Sequence, residues 1–444
     1  MLELFKAINN LVWGPPLLLL LVGTGVYLTL RLGVFQIGKL PTAFRLIFYS
    51  DQSGQGDVSS FAALCTALAA TVGTGNIVGV ATAITTGGPG ALFWMWVAAF
   101  FGMATKYAEG FLAIKYRTKD ANGQAAGGPM HYITLGMGQK WKPLAVFFAI
   151  SGVLVALLGI GTFSQVNSIT ASLETSFGLE PPLVSVITAI SIAFVVFGGI
   201  EKISDVSTKI VPFMAILYIL ASLIVLVVHW NELLPTLGLV LKSAFSPAAA
   251  VGGFVGATVK EAIQRGIARG VFSNESGLGS APIAAAAAKS DNPVEQGLIS
   301  MTGTFIDTII ICTLTGLTLL VTGQWSVEGL EGAPLTQAAF ATVFGNTGSI
   351  ALTISLVLFA FTTILGWSYY GERCIEFLFG TKSILPYRLV FVTMVALGGF
   401  LKLDLIWTIA DIVNGLMALP NLIALLALSP VIIKETRLYF AKRK

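Results

Sequence analysis

Two apolar segments of this 444-residue chain are interrupted by small and polar residues, and they lie about two hundred residues apart. In residues 61–85 an alanine-rich run meets Thr71, Val72, Gly73, Thr74, Gly75 and Asn76 before hydrophobicity resumes at Ile77. In residues 254–288 the run Phe272, Ser273, Asn274, Glu275, Ser276, Gly277, Leu278, Gly279 precedes Pro282 and an alanine tract. An unwound backbone presents N–H donors and C=O acceptors, tolerated in lipid only where they are buried in protein or line a wet cavity. The chemistry such a place can do is the capture of small polar solutes and ions. Glycine alone would read as close helix packing. Asn76 adds an amide, however, Thr66, Thr71 and Thr74 add hydroxyls, and Ser273, Asn274, Glu275 and Ser276 put a carboxylate and three further polar side chains at mid-depth. A carboxylate there is costly unless paired, which makes it a functional candidate by default. Two such breaks in corresponding places of two halves point to an inverted-repeat secondary transporter that binds substrate and ions at the breaks.

The elements that must position these residues are membrane helices. Hydrophobic residues make up 55% of the chain and charged residues 11%, with a mean hydropathy of +0.84, far from the average of soluble proteins. Spanning takes roughly 20 apolar residues per helix. About eleven candidate spans follow, near 11–31, 61–85, 89–115, 143–173, 181–199, 208–229, 254–288, 294–322, 347–379, 385–401 and 405–432. No polar stretch is long enough for a soluble domain, so 1–444 is one membrane domain in the lipid bilayer.

Loop Lys and Arg decide orientation. Arg31, Lys39 and Arg45; Lys106, Lys115, Arg117, Lys119, Lys140 and Lys142; Lys202 and Lys209; Lys289; Arg373, Lys382 and Arg388; and Lys434, Arg437, Lys442, Arg443 and Lys444 all fall on one side. Lys6, Lys242 and Lys402 stand opposite. The basic side is expected to be cytoplasmic, with the N-terminus outside, the C-terminus inside and the run from Trp13 to Leu30 a retained helix. The segment 116–142 reads as a cytoplasmic loop.

Cys65, Cys312 and Cys374 lie singly in apolar segments and read as packing residues. Lys260, Glu261, Arg265 and Arg269 recur at helical spacing on the outer half of the seventh span. They read either as an ion network, with Glu261 and Arg265 paired at i,i+4, or as an outer gate in which Arg265 or Arg269 meets Asp411.

Two other function classes fail on context. Thr71-Val72-Gly73-Thr74-Gly75 has the look of a potassium filter, yet it bisects a full span where a filter needs a pore loop. Ser276-Gly277-Leu278-Gly279-Ser280 has the look of a nucleophile turn, but only His131 and His229 exist, in a loop and at a helix end. The chain does not read as an enzyme, and nothing suggests a nucleic-acid partner.

Gly73-Thr74-Gly75-Asn76-Ile77-Val78-Gly79, Gly266-Ile267-Ala268-Arg269-Gly270, Ser273 through Pro282, Phe305-Ile306-Asp307-Thr308 and Thr362-Thr363-Ile364-Leu365-Gly366-Trp367 resemble the alanine/glycine:cation symporter family over nearly the whole chain. The resemblance implies the LeuT-type fold: an all-α polytopic protein whose ten core helices form two inverted five-helix repeats, here about 61–229 and 246–432, preceded by one extra helix at 11–31.

It also implies a site. Amides of Gly73, Thr74, Gly75 and Asn76 would receive the substrate carboxylate at a half-helix N-terminus. Phe272, Ser273 and Asn274 at the second break would meet the ammonium, with Phe272 covering the pocket. Gln165 would contribute an amide to the substrate or to a neighbouring helix. Trp367 would face the substrate side chain opposite Phe272 and limit its size. Sodium would be held by Ala69, Val72 and Phe359 carbonyls with the Thr362 and Thr363 hydroxyls. A second cation site would use Asn76 with Thr304 or Asp307. Glu275 and Asp307 depart from a neutral cage and could hold a second cation, fix the ammonium, pair with a basic residue or carry a proton.

The function expected is sodium-coupled symport of alanine, glycine and other small neutral amino acids across the plasma membrane. A proton-coupled transporter of the same fold is the alternative, and a monomer is compatible with the pattern.

Overall fold

The computed structural model describes residues 2–50, 53–248, 256–400 and 404–442. Lys402, Arg443 and Lys444 of the charge pattern and the first residues of the 254–288 segment lie outside them. The chain is built from helices, in order α1 (Leu2–Val12), α2 (Pro15–Leu32), α3 (Phe35–Tyr49), α4 (Ser60–Thr71), α5 (Val80–Gly87) and α6 (Gly90–Lys115), then a two-stranded hairpin, Thr118–Lys119 with Ala125–Ala126. There follow α7 (Pro129–Tyr132), α8 (Lys142–Leu158), α9 (Phe163–Phe177), α10 (Pro181–Val196), α11 (Gly199–Val228) and α12 (Trp230–Phe245). The remainder comprises α13 (Val259–Asn274), α14 (Ala281–Ala286), α15 (Pro293–Thr304), α16 (Thr313–Val321), α17 (Gly332–Phe344), α18 (Asn346–Phe379), α19 (Ile384–Leu397) and α20 (Asp404–Ala441).

Among the described residues eight helical stretches are long and apolar enough to cross a membrane, nine counting α4 with the 75–87 stretch, which meet at a 52° bend. The two remaining expected spans escape that measure for physical reasons. The α10 helix is apolar but only 16 residues long. The seventh expected span is divided into α13, which carries Lys260, Glu261, Arg265 and Arg269, and the six-residue α14.

Each break has a local cause. Ser59 caps α4 by accepting from the Ala62 N–H, and the helix ends as Val72 turns extended. The chain resumes as a wide π-helical turn, Gly75–Gly79, before tightening into α5. Thr258 and Glu261 form a capping box that starts α13. That helix ends where Glu275 adopts a left-handed conformation, φ 56°, followed by Gly277 and Gly279 at φ 91° and 82°. A non-glycine residue in that region is held there by its surroundings, here by bonds to both Glu275 carboxylate oxygens.

The span expected at 143–173 is not continuous. It stops at Leu158 and restarts at Phe163, with the Thr162 hydroxyl donating to the Leu157 carbonyl across the gap. The glycines at 159 and 161 permit it: a Cβ at Gly161 would lie 2.6 Å from the Ala156 carbonyl oxygen. Helix α6 runs through the middle of the bundle, against α13, α14, α15, α2 and α12, so residues of its central turns face both halves of the second break.

The 116–142 segment is an ordered cover. Arg117 donates to the Ala286, Ala288 and Ser290 carbonyls just beyond α14 and pairs with Asp291. Arg373, buried at the end of α18, pairs with Asp120, Glu372 and Glu376 and so fastens the hairpin.

Candidate functional site

The two breaks meet. A Cβ added to Gly75 would stand 3.2 Å from the Ser273 Cα, and one added to Gly73 would run into the Thr363 hydroxyl. A side chain at Gly73 would have to displace the Thr363 hydroxyl, and one at Gly75 would press on the α13 backbone.

Asp307, in the π-helical stretch Phe305–Cys312 that continues α15, joins the breaks. One carboxylate oxygen accepts from Asn76 Nδ2 at 2.7 Å; the other accepts from the Ser273 and Thr308 hydroxyls at 2.9 and 2.7 Å. The other side of the Asn76 amide accepts the Gly73 N–H at 2.9 Å, folding the first break upon itself. Thr304, the other candidate partner of Asn76, instead shares a 2.8 Å hydroxyl contact with Ser276, one helical turn along the axis from Asp307.

At the first break Thr362 and Thr363 hydroxyls both donate to the Phe359 carbonyl, at 3.0 and 2.9 Å. Of the two hydroxyls it is Thr363 that faces Gly73; the Thr362 hydroxyl also reaches the Leu358 carbonyl at 3.1 Å and the Met214 sulfur at 3.6 Å. Ala69 and Val72, on the α4 side, are fully buried. Beside the other face of the break lies a cavity of about 230 Å³ lined by Thr74, Gly75, Val78, Gly79, Thr82, Arg269, Phe272 and Asp411. Its rim holds Arg269, stacked over the Phe272 ring at 5.4 Å and 3.9 Å from the Asp411 carboxylate. Arg269 is thus the residue that meets Asp411. Glu261 does not form the expected pair with Arg265; its carboxylate accepts from the N–H and hydroxyl of Thr258, since the first turn of a helix offers free donors that a lysine or arginine one turn later does not outbid.

At the second break Trp367 is completely buried and its indole N–H donates to Glu275 Oε1 at 3.0 Å, while the Ser280 hydroxyl donates to Oε2. Glu275 thereby ties the break to α18. The Asn274 amide is consumed locally, donating to Thr308 and accepting the Ser276 N–H. Gln165, near the start of α9, is buried with its carbonyl oxygen unpartnered, an acceptor left free.

Three residues absent from the sequence-based set belong to the site. Lys106 was expected in a basic loop; it lies inside α6, buried, because the helix continues to Lys115, and its ammonium donates to the Asn274 carbonyl at 2.8 Å. Glu109, one turn on, takes the Gly277 and Gly279 N–H groups on one oxygen, both at 3.1 Å, together with Asn421 Nδ2 at 2.7 Å. Asn421 also donates to the Gly277 carbonyl and accepts from the Tyr132 hydroxyl. The signal for Lys106 and Glu109 was present: two charges three apart within an apolar segment.

Comparison with known proteins accords with this geometry. The pattern of the sodium:alanine symporter family matches residues 1–444. The chain is 51% identical over 449 residues to the sodium/alanine symporter AgcS of Methanococcus maripaludis, covering all of this chain and 98% of the relative. It is 57% identical over 443 residues to an uncharacterized transporter of Haemophilus influenzae, covering all of this chain and 97% of that one. Among solved structures it is similar to MhsT in complex with L-phenylalanine, with a TM-score of 0.58 at 13% identity over 86% of this chain and 99% of that one. That likeness is one of fold: a LeuT-type transporter.

Proposed function

Because the chain belongs to the sodium:alanine symporter family, we propose that it couples sodium entry to uptake of alanine and similarly small neutral amino acids, glycine included. The observation that carries this reading is the contact of the two helix breaks at Gly75 and Ser273, with the Thr363 hydroxyl against Gly73 and bonded, like that of Thr362, to the Phe359 carbonyl. An amino acid needs donors for its carboxylate and acceptors for its ammonium. Half-helix N-termini supply the first and unwound carbonyls the second.

In this reading the amides of Thr74 and Gly75 take the carboxylate, those of Gly73 and Asn76 being bonded within the break, the carbonyls of Phe272 and Ser273 with the free oxygen of Gln165 take the ammonium, and Trp367 closes the pocket on the side-chain end. Sodium sits among the carbonyls of Ala69, Val72 and Phe359 and the two threonine hydroxyls. It organises the first break, so the loaded state forms only with both solutes present. The repeats span about 61–229 and 246–432, and α13 with α14 rocks together with α4 and α5 between outward and inward states. Each sodium adds about 2.3 kcal/mol per 100 mV of membrane potential to its concentration gradient. The bias of Lys and Arg places the N-terminus outside the cell membrane and the Arg117 and Arg373 cover inside.

Uptake of labelled alanine into proteoliposomes tests this. An imposed sodium gradient at fixed pH should drive accumulation, and choline in place of sodium should abolish it. Accumulation driven by a proton gradient in choline would replace sodium coupling with proton coupling on the same fold.

A further inference from the structure

Around the second break the described residues bury three carboxylates, Glu109, Glu275 and Asp307, and one cation, Lys106. The other buried base, Arg373, has its own acids at the far end of α18. Lys106 stands one turn before Glu109 on α6, and its ammonium is bonded to the residue that precedes Glu275. Its hydrogen bond goes to the carbonyl of Asn274, the last residue of α13. The final carbonyls of a helix have no partner within it and lie at the negative end of its dipole, and such ends coordinate sodium in broken-helix transporters.

A second observation points the same way. Lys106 lines a small cavity of about 10 Å³ whose wall is mostly alanine and leucine, with Thr71, Gln296 and Ser300 as its other polar members. The Gln296 carbonyl oxygen is buried without a partner. The ammonium is therefore held between the two breaks by one helix-end carbonyl, with an unpartnered oxygen on the wall of the same cavity.

We propose that Lys106 is a covalently tethered cation standing where a transported ion would otherwise be needed, and that it thereby limits the number of sodium ions bound per amino acid. A lysine ammonium carries the charge of one sodium and, on its stem, cannot leave with the substrate. Removing it frees the Asn274 carbonyl, near the already unpartnered Gln296 oxygen and next in sequence to Glu275, and a sodium ion takes the vacated place. This rests on the sodium-coupled reading given above.

The test is sodium-dependent thermal stabilisation of the purified full-length protein at constant ionic strength, for the wild type, Lys106→Ala, Lys106→Gln and Lys106→Arg. Stabilisation grows with the logarithm of ligand concentration in proportion to the number of ions bound. The slope against log sodium should rise by about one ion in the Ala and Gln variants and stay at the wild-type value in the charge-preserving Arg variant. The apparent Hill coefficient for sodium in alanine uptake should rise by the same increment where the variants transport. A structural role would lower the melting temperature and leave the slope unchanged. That result in folded Ala or Gln protein overturns the proposal. A wild-type slope of zero would instead refute sodium binding itself, so the two failures are distinguishable.

Discussion

Removing one threonine hydroxyl from α18 should separate ion binding from folding. In Thr363→Ala the lost group donates to the Phe359 carbonyl four residues earlier, at 2.9 Å, and faces Gly73 across the helix contact. The bond is an addition to an intact helix, so its net worth to stability is about 1 kcal/mol or less. An oxygen facing an ion is different: bonds to charged groups contribute about 1.5–3 kcal/mol, and each 1.4 kcal/mol is roughly tenfold in affinity. The half-saturating sodium concentration for alanine uptake should therefore rise about ten- to a hundredfold. The melting temperature in sodium-free buffer should fall by only a few degrees. Thr362→Ala should behave alike, since its hydroxyl donates to the same carbonyl at 3.0 Å. Thr363→Ser, which keeps the oxygen, should stay close to the wild type. Proteoliposome uptake over a sodium series decides it. If both alanine variants transport with unchanged sodium dependence, the three oxygens around Phe359 do not hold the coupling ion.

Trp367→Leu should let valine and leucine compete with labelled alanine, because an indole fully buried beside the second break fills volume their side chains need; a folded variant with the same size cut-off would remove Trp367 from the pocket wall. An impermeant maleimide on intact cells should label a cysteine at the exposed Glu328 but not one at the exposed Lys382, against a low background because Cys65, Cys312 and Cys374 are buried; the reverse pattern inverts the topology. His131, in the cover between the hairpin and α8, is held down to about 4 by burial and by the nearby Arg373 charge. Its folded value lies below the unfolded 6.5, so the unfolded chain binds the proton first and stability falls as the pH drops from about 6.5 towards 4. His131→Asn should flatten that part of a melting-temperature profile between pH 7 and 5, and an unchanged profile would assign the acid sensitivity to other groups.

The amino-acid sequence by itself determined the class, the spans and the two interruptions, because composition and runs of apolar residues are read by the bilayer directly and a Gly-Thr-Gly-Asn or Ser-Asn-Glu-Ser cluster cannot continue a lipid-facing helix at no cost. It also marked Glu275 as a buried carboxylate, while Asp307, Trp367, Thr362 and Thr363 entered through the family resemblance its motifs carry. Which of them touch was decided by the tertiary fold alone. Asn76 and Asp307 are 231 residues apart, and Trp367 and Glu275 are 92 apart, so their hydrogen bonds exist only once α4, α13, α15 and α18 pack around one centre. Lys106 shows the limit most clearly. Its place in the chain, nine residues before the end of a span, suggests a basic loop as readily as a buried charge. Only the packing of α6 across the α13–α14 break, which buries the ammonium against the Asn274 carbonyl, decides between them.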